Sequence, residues 1–176
     1  MRLRNCGGSR RGPLRGNLAV RVKIEVVHVK IETCNSADHP GWLRLRQALW
    51  PEGAREQHVA EMAAQVAAPQ RYRQFLAYSP SSEAVGLIEA SMRSDYVNGT
   101  ETSPVAFVEG LYVVPQARRQ GVAGALVATV GDWARRAGCR EIASDAVLEN
   151  SISHVVHRAL GFEETERVVF FRRKLA

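Results

Sequence analysis

One loop in the chain has the residue types to hold an anion. Arg118-Arg119-Gln120-Gly121-Val122-Ala123-Gly124 lies between the stretch Val105–Val114, apolar apart from Glu109 and Gly110, and the apolar run Ala125–Trp133. The first run predicts a buried strand, and Pro115 ends it because proline cannot donate to the ladder. The unit therefore reads as strand, small-residue loop, helix. The first N–H groups of a helix have no intrahelical partner, and the dipole adds partial positive charge there. Gly121, Ala123 and Gly124 lack bulk, so a phosphate can approach the backbone, and Arg118 and Arg119 add charge beside it. The loop lacks the Gly-Lys-Ser/Thr of a Walker A motif and the Gly-x-Gly-x-x-Gly of a dinucleotide fingerprint. Taken alone, it fits an ordinary strand–turn–helix with a surface Arg pair equally well.

Other chemistries have less support. Cys6, Cys34 and Cys139 are far apart and form no Cys-x-x-Cys pair, which argues against a metal knuckle or a disulfide framework and favours a reducing compartment, the cytoplasm. None follows a nucleophile pattern with a nearby His, and Cys139, at a strand start, reads as packing. His28, His39, His58 and His154 show no metal spacing, so no metal is expected.

Several elements must position the loop. An alternating stretch over residues 22–32 can form a half-exposed strand. Asp38 is placed to cap a helix that runs to Leu49 with Trp42, Leu45 and Leu49 on one face, and Trp50-Pro51 ends it. A second helix spans about Ala54–Ala67, with Val59, Met62 and Val66 inward. Strands Tyr72–Tyr78 and Ala84–Met92 follow, joined by Ser79-Pro80-Ser81-Ser82. Beyond the central strand come a helix Gly121–Ala137, a strand Cys139–Val147, a helix opened by Glu149-Asn150-Ser151, and a last strand or strand pair Phe162–Lys174. That order predicts an α/β (α+β) mixed sheet of six to seven strands with helices on both faces.

A chain of 176 residues is the size of one domain, and no apolar run approaches the roughly 20 residues that span a bilayer. The formal charge is +6. Seven basic residues and one acid fall within residues 1–28, leaving 17 basic and 17 acidic residues elsewhere. The excess charge belongs to that extension, expected to be disordered, and residues 29–176 form the domain. An evenly charged domain argues against nucleic acid as its partner. Ser9-Arg10-Arg11 hints at twin-arginine export, but no apolar segment follows it.

The spacing Arg118-x-x-Gly121-x-Ala123 resembles the signature of the GCN5-related N-acetyltransferase superfamily, and the element order resembles that fold. Asn150, with Leu160-Gly161-Phe162 closing its helix, matches a second marker. The domain is similar, more narrowly, to aminoglycoside 6'-N-acetyltransferases. Segments Leu45–Pro51, Ser94–Gly99, Ser103–Gly110, Gly138–Asp145 and Ala159–Arg167 carry that likeness. The resemblance implies acetyl transfer from acetyl-CoA to the 6'-amine of an aminoglycoside by direct attack in a ternary complex, conferring antibiotic resistance, in an enzyme that is often a homodimer.

Residue by residue, the resemblance implies that Trp50, Tyr96, Glu109, Asp145 and Glu166 line the aminoglycoside pocket. Gly53 stands where relatives can carry a substrate-contacting His, and Phe171 where they can carry Tyr. Leu111, Tyr112 and Val113 would receive the thioester; Arg119, Gln120, Gly121, Val122, Ala123 and Gly124 would hold the pyrophosphate; Asn150 would touch the pantetheine. Glu109-Gly110 sits where a strand bulge would fall. An acidic pocket with flat aromatic walls suits a polycationic sugar. Glu109 is the candidate base, and His157 the candidate acid for the thiolate. The Val113 N–H would polarise the carbonyl, a contribution of about 3 kcal/mol. Rival readings are an acetyltransferase for a polyamine or protein N-terminus, and a non-catalytic acyl-CoA or nucleic-acid binding module.

Overall fold

The computed structural model describes residues 29–175. The basic extension 1–28, and with it most of the strand expected over 22–32, lies outside them. The elements are β1 (Lys30–Thr33), α1 (Pro40–Leu49), α2 (Arg55–Ala67), β2 (Tyr72–Tyr78), β3 (Ala84–Arg93), β4 (Val105–Val113), a short 3-10 turn (Pro115–Ala117), α3 (Val122–Arg136), β5 (Ile142–Ser144) and α4 (Ser151–Ala159). The strands form one sheet in the order β1-β2-β3-β4-β5. Its first four strands are antiparallel, and β5 joins β4 in parallel.

Side-chain alternation divides the core in two. Phe75, Ala77, Ile88 and Ala90 point to the α3 side, where Leu126, Val130 and Trp133 cover them. Leu76 and Leu87 point the other way, against Trp42 and Leu45 of α1 and Met62 of α2. Successive residues of a strand face opposite sides, so β3, covered by helices on both, reads as a nearly unbroken apolar run.

The mixed α/β class holds, with five strands among the described residues rather than six to seven. The expected terminal strand is absent: Phe162–Lys174 has no regular secondary structure and no ladder partner among the described residues. Apolar pattern alone does not make a strand, which also needs an edge to bond. The strand expected over Cys139–Val147 shortens to Ile142–Ser144 because β5 leaves β4 there. The cap of α1 also differs. His39, not Asp38, accepts the Trp42 N–H through Nδ1 at 3.2 Å, and Pro40 takes the first helical position.

Candidate active site

The site forms where β4 loses one neighbour. Ala106, Phe107 and Val108 pair with β5, and the pairing stops at Val108 opposite Ser144. β4 continues to Val113, held by β3 alone, so β5 leaves one edge of Leu111, Tyr112 and Val113 unpaired. On the β3 side, Glu89 pairs with Gly110 and Ala90 with Val108, which makes Glu109 the extra residue of a bulge. A bulge re-aims the side chain it frees. Glu109 follows Val108 and Asp145 follows Ser144, so the two acids occupy neighbouring register positions at the mouth of the splay.

Glu109 has protein partners. Ser91 Oγ donates to its Oε1, and Arg93 Nη2 donates to both oxygens, at 2.9 and 3.0 Å. The Arg93 guanidinium also lies 3.4 Å from the centre of the Phe107 ring. Sequence reasoning missed both Ser91 and Arg93. Their signal was the alternation along β3, which carries two polar residues at its end beside the bulge. Asp145 is exposed immediately after β5. Glu166 is exposed on the C-terminal segment, where the expected strand Phe162–Lys174 does not form.

Trp50 is brought directly against the bulge. A Cβ on Gly110 would lie 2.5 Å from Cη2 of its ring, so only glycine permits this approach. The guanidinium of Arg46 stacks on the indole, 4.9 Å from its centroid. Behind it is a buried polar network that sequence reasoning did not find. Glu89 accepts from Trp42 Nε1 at 2.6 Å, Arg46 Nε at 2.8 Å and Gln65 Nε2 at 2.9 Å. Arg46 also pairs with Glu61 at 2.6 Å, which, after the hydrogen bond from Gln57, helps hold that carboxyl below its usual range. His58 Nε2 donates to the Trp50 carbonyl at 3.2 Å, leaving Nδ1 to accept from Arg46 Nη1 at 3.3 Å. The available signals were an acid in an apolar strand and an Arg one helical turn after Trp42 on the inward face. Gly53 is packed against this His58: a Cβ there would lie 2.7 Å from the imidazole, so a larger residue needs His58 to move. Tyr96 is exposed on the loop after β3.

The loop before α3 matches the anion-cradle pattern. Gly121 is the N-cap, with φ at 82° and no side-chain cap, and the first helical bond runs from the Ala125 N–H to its carbonyl. The N–H groups of Val122, Ala123 and Gly124 precede that bond. Nothing lies within 4 Å of a Cβ built on Gly121, and only Leu160, at 4.0 Å, of one built on Gly124. A diphosphate fits this open cradle. Arg118, itself exposed, turns back on the strand end: its Nε donates to the Val113 carbonyl at 2.9 Å. Arg119 remains exposed, and Gln120 donates to the Gln116 carbonyl at 2.7 Å. A surface depression of about 450 Å³ shares Gln120 and Val122 with the loop but includes none of the acids, Trp50 or Tyr96. Volume therefore does not mark the site.

His157 lies on α4, edge-on to Phe162. Its Nδ1 sits 2.8 Å from the Ser153 carbonyl. A carbonyl only accepts, so Nδ1 carries a proton and Nε2 is the nitrogen left for other chemistry. Asn150 caps the same helix, its Oδ1 accepting the Ser153 N–H at 3.0 Å, which leaves its amide NH₂. Cys34 and Cys139 are buried, and burial raises both thiols, which suits packing rather than attack.

The acetyltransferase (GNAT) family model matches residues 40–162, and the chain belongs to that family. Within it, the chain is similar to proteins named aminoglycoside N(6')-acetyltransferase type 1. The Acinetobacter genomosp. 13 protein is 53% identical over 134 residues, covering 76% of this chain and 90% of that one. The Serratia marcescens protein is 48% identical over 145 residues, covering 82% and 99%. Two solved structures match with a TM-score of 0.79, each covering 84% of this chain and 99% of the other. They are AAC(6')-Iy in complex with the bisubstrate analogue CoA-S-monomethyl-acetylneamine, at 44% identity, and AAC(6')-Ih from Acinetobacter baumannii, at 46%.

Proposed function

We propose that this chain is an acetyl-CoA-dependent aminoglycoside 6'-N-acetyltransferase that confers antibiotic resistance in the cytoplasm, with residues 29–176 as its catalytic domain. The observation that carries this reading is the acid pair Glu109 and Asp145 at the open end of the β4–β5 junction, beside the Trp50 ring. Acids at an open mouth attract a polycation, and a flat indole suits a sugar face. Tyr96 and Glu166 complete the pocket in this reading, and Gly53 leaves its rim without a side chain.

Acetyl-CoA supplies an activated acetyl thioester. Arg119, Gln120 and the free N–H groups from Gly121 to Gly124 would hold its pyrophosphate, and the Asn150 amide its pantetheine. Leu111, Tyr112 and Val113 would hold the thioester end along their free edge. The Val113 N–H would polarise the carbonyl. Glu109 takes the proton that the amine must lose, Asp145 holds a neighbouring ammonium, and His157 gives a proton from Nε2 to the departing sulfur. Holding amine and thioester together is enough for direct transfer, with no nucleophilic side chain.

The test is CoA-thiol release with acetyl-CoA and kanamycin or tobramycin, beside an aminoglycoside lacking a 6'-amine. Turnover with the 6'-amino compounds alone is expected. Binding of acetyl-CoA without turnover of any of them would sink the assignment.

The reading includes a homodimer. Helix α4 has no buried residue and exposes Ile152 and Val155, while Val168, Val169, Phe170 and Phe171 are 52, 77, 86 and 93% exposed. The far edge of β5 carries no strand among the described residues. The C-terminal run of a second copy, laid along that edge, would cover these surfaces together.

A further inference from the structure

We infer that Arg93 sets the affinity threshold of the site: an internal cation that holds the Glu109 carboxylate until a polycationic substrate displaces it, so that an amine carrying a single charge falls below that threshold. This inference rests on the reading that Glu109 faces the substrate amine.

The geometry supports displacement rather than permanent support. One nitrogen of Arg93 straddles both oxygens of Glu109, at 2.9 and 3.0 Å. Ser91 Oγ, on a buried residue of the same strand, donates to Oε1 as well, so the carboxylate stays aimed when Arg93 leaves. The pair is wet, with the side chains 37 and 32% exposed, and ion pairs of that kind are weak. Arg93 also has somewhere to stay. Its guanidinium lies over the Phe107 ring, a contact independent of Glu109. This differs from Arg46, whose pairing with buried Glu89 cannot open without leaving a charge unmet.

Competition for one carboxylate decides which amines enter. A lone ammonium that replaces the guanidinium exchanges one ion pair for another and gains little. A substrate with several ammonium groups engages Glu109 and the neighbouring Asp145 together, and the second attraction offsets the loss of the Arg93 pair. Arg93 thus lowers affinity for every cation, and only a polycation recovers it.

The test compares the wild-type protein with Arg93→Gln and Arg93→Lys, using calorimetric binding and steady-state turnover. The probes are kanamycin and the monoamine 6-amino-6-deoxyglucose. Arg93→Gln is expected to lower Kd and KM for the monoamine and for kanamycin by a similar factor, about fivefold, the scale of an exposed ion pair. Arg93→Lys, which keeps the charge, should stay near wild type. A rise in KM, or a fall in kcat at unchanged KM, would show that Arg93 supports Glu109 and would overturn the inference. Glu109→Gln is measured in parallel. Unchanged kanamycin affinity there also overturns it, while leaving acetyl transfer standing. No kanamycin binding by the wild-type protein would remove the functional reading and the inference together. Thermal unfolding checks that each variant is folded.

Discussion

A general acid must carry its proton on the nitrogen that faces the acceptor. His157 meets this condition only as the imidazolium. The Ser153 carbonyl engages Nδ1–H, so a neutral ring has a bare Nε2. If His157 protonates the departing sulfur, its removal slows the departure of the thiol more than the binding of either substrate. His157→Ala is expected to lower kcat about a hundredfold, with a smaller change in KM. Steady-state kinetics of both proteins check this. An unchanged kcat in the variant would assign the proton to water or another group.

Among the elements, α1 and α2 matter most for how they are fastened to the sheet. Glu89 and Arg46 are both buried, and Trp42, Gln65, Glu61 and His58 satisfy their remaining hydrogen-bonding groups. This network fixes the end of α1, and therefore the Trp50 ring lying on Gly110. Glu89→Gln leaves Arg46 with only the partly exposed Glu61 as counter-charge. A loss of about 3 kcal/mol is expected by urea unfolding, at the low end for breaking a buried pair. The double replacement Arg46→Met with Glu89→Leu should recover much of it, because burying neither charge is less costly than burying one. Glu61 adds an acid-side dependence. Its carboxyl is held below the ordinary 4.5, so its contribution is present above that value and is lost as pH falls through the folded-state value.

At the scale of the whole molecule, the exposed C-terminal segment is the part that a single copy leaves unsatisfied. Four consecutive exposed apolar residues, in a chain whose β5 edge carries no further strand among the described residues, offer surfaces that another chain can cover. Sedimentation equilibrium is expected to give twice the chain mass, and Phe170→Asp with Phe171→Asp to give a monomer. Glu166 lies on the same segment, so the monomeric variant should also lose aminoglycoside affinity. A wild-type monomer with full activity would refute the dimer.

How much of this was legible in the sequence depended on range. β2, β4 and α3 were readable nearly to the residue, because strand alternation, Pro115 and the glycines flanking α3 are local constraints. The loop from Arg118 to Gly124 was visible for the same reason, whereas the bulge at Glu109 was expected only through family resemblance. Trp50, Tyr96, Asp145 and Glu166 were named only through family resemblance, since no spacing along the chain links them. The pairing of Arg93 with Glu109, the Glu89–Arg46–His58 network and the seating of Trp50 on Gly110 came only from the tertiary structure. Each joins residues far apart in sequence, and a charged or aromatic side chain does not announce its partner. The missing terminal strand has the same cause. Apolar pattern predicts that a segment is able to pair, but an available edge decides whether it does.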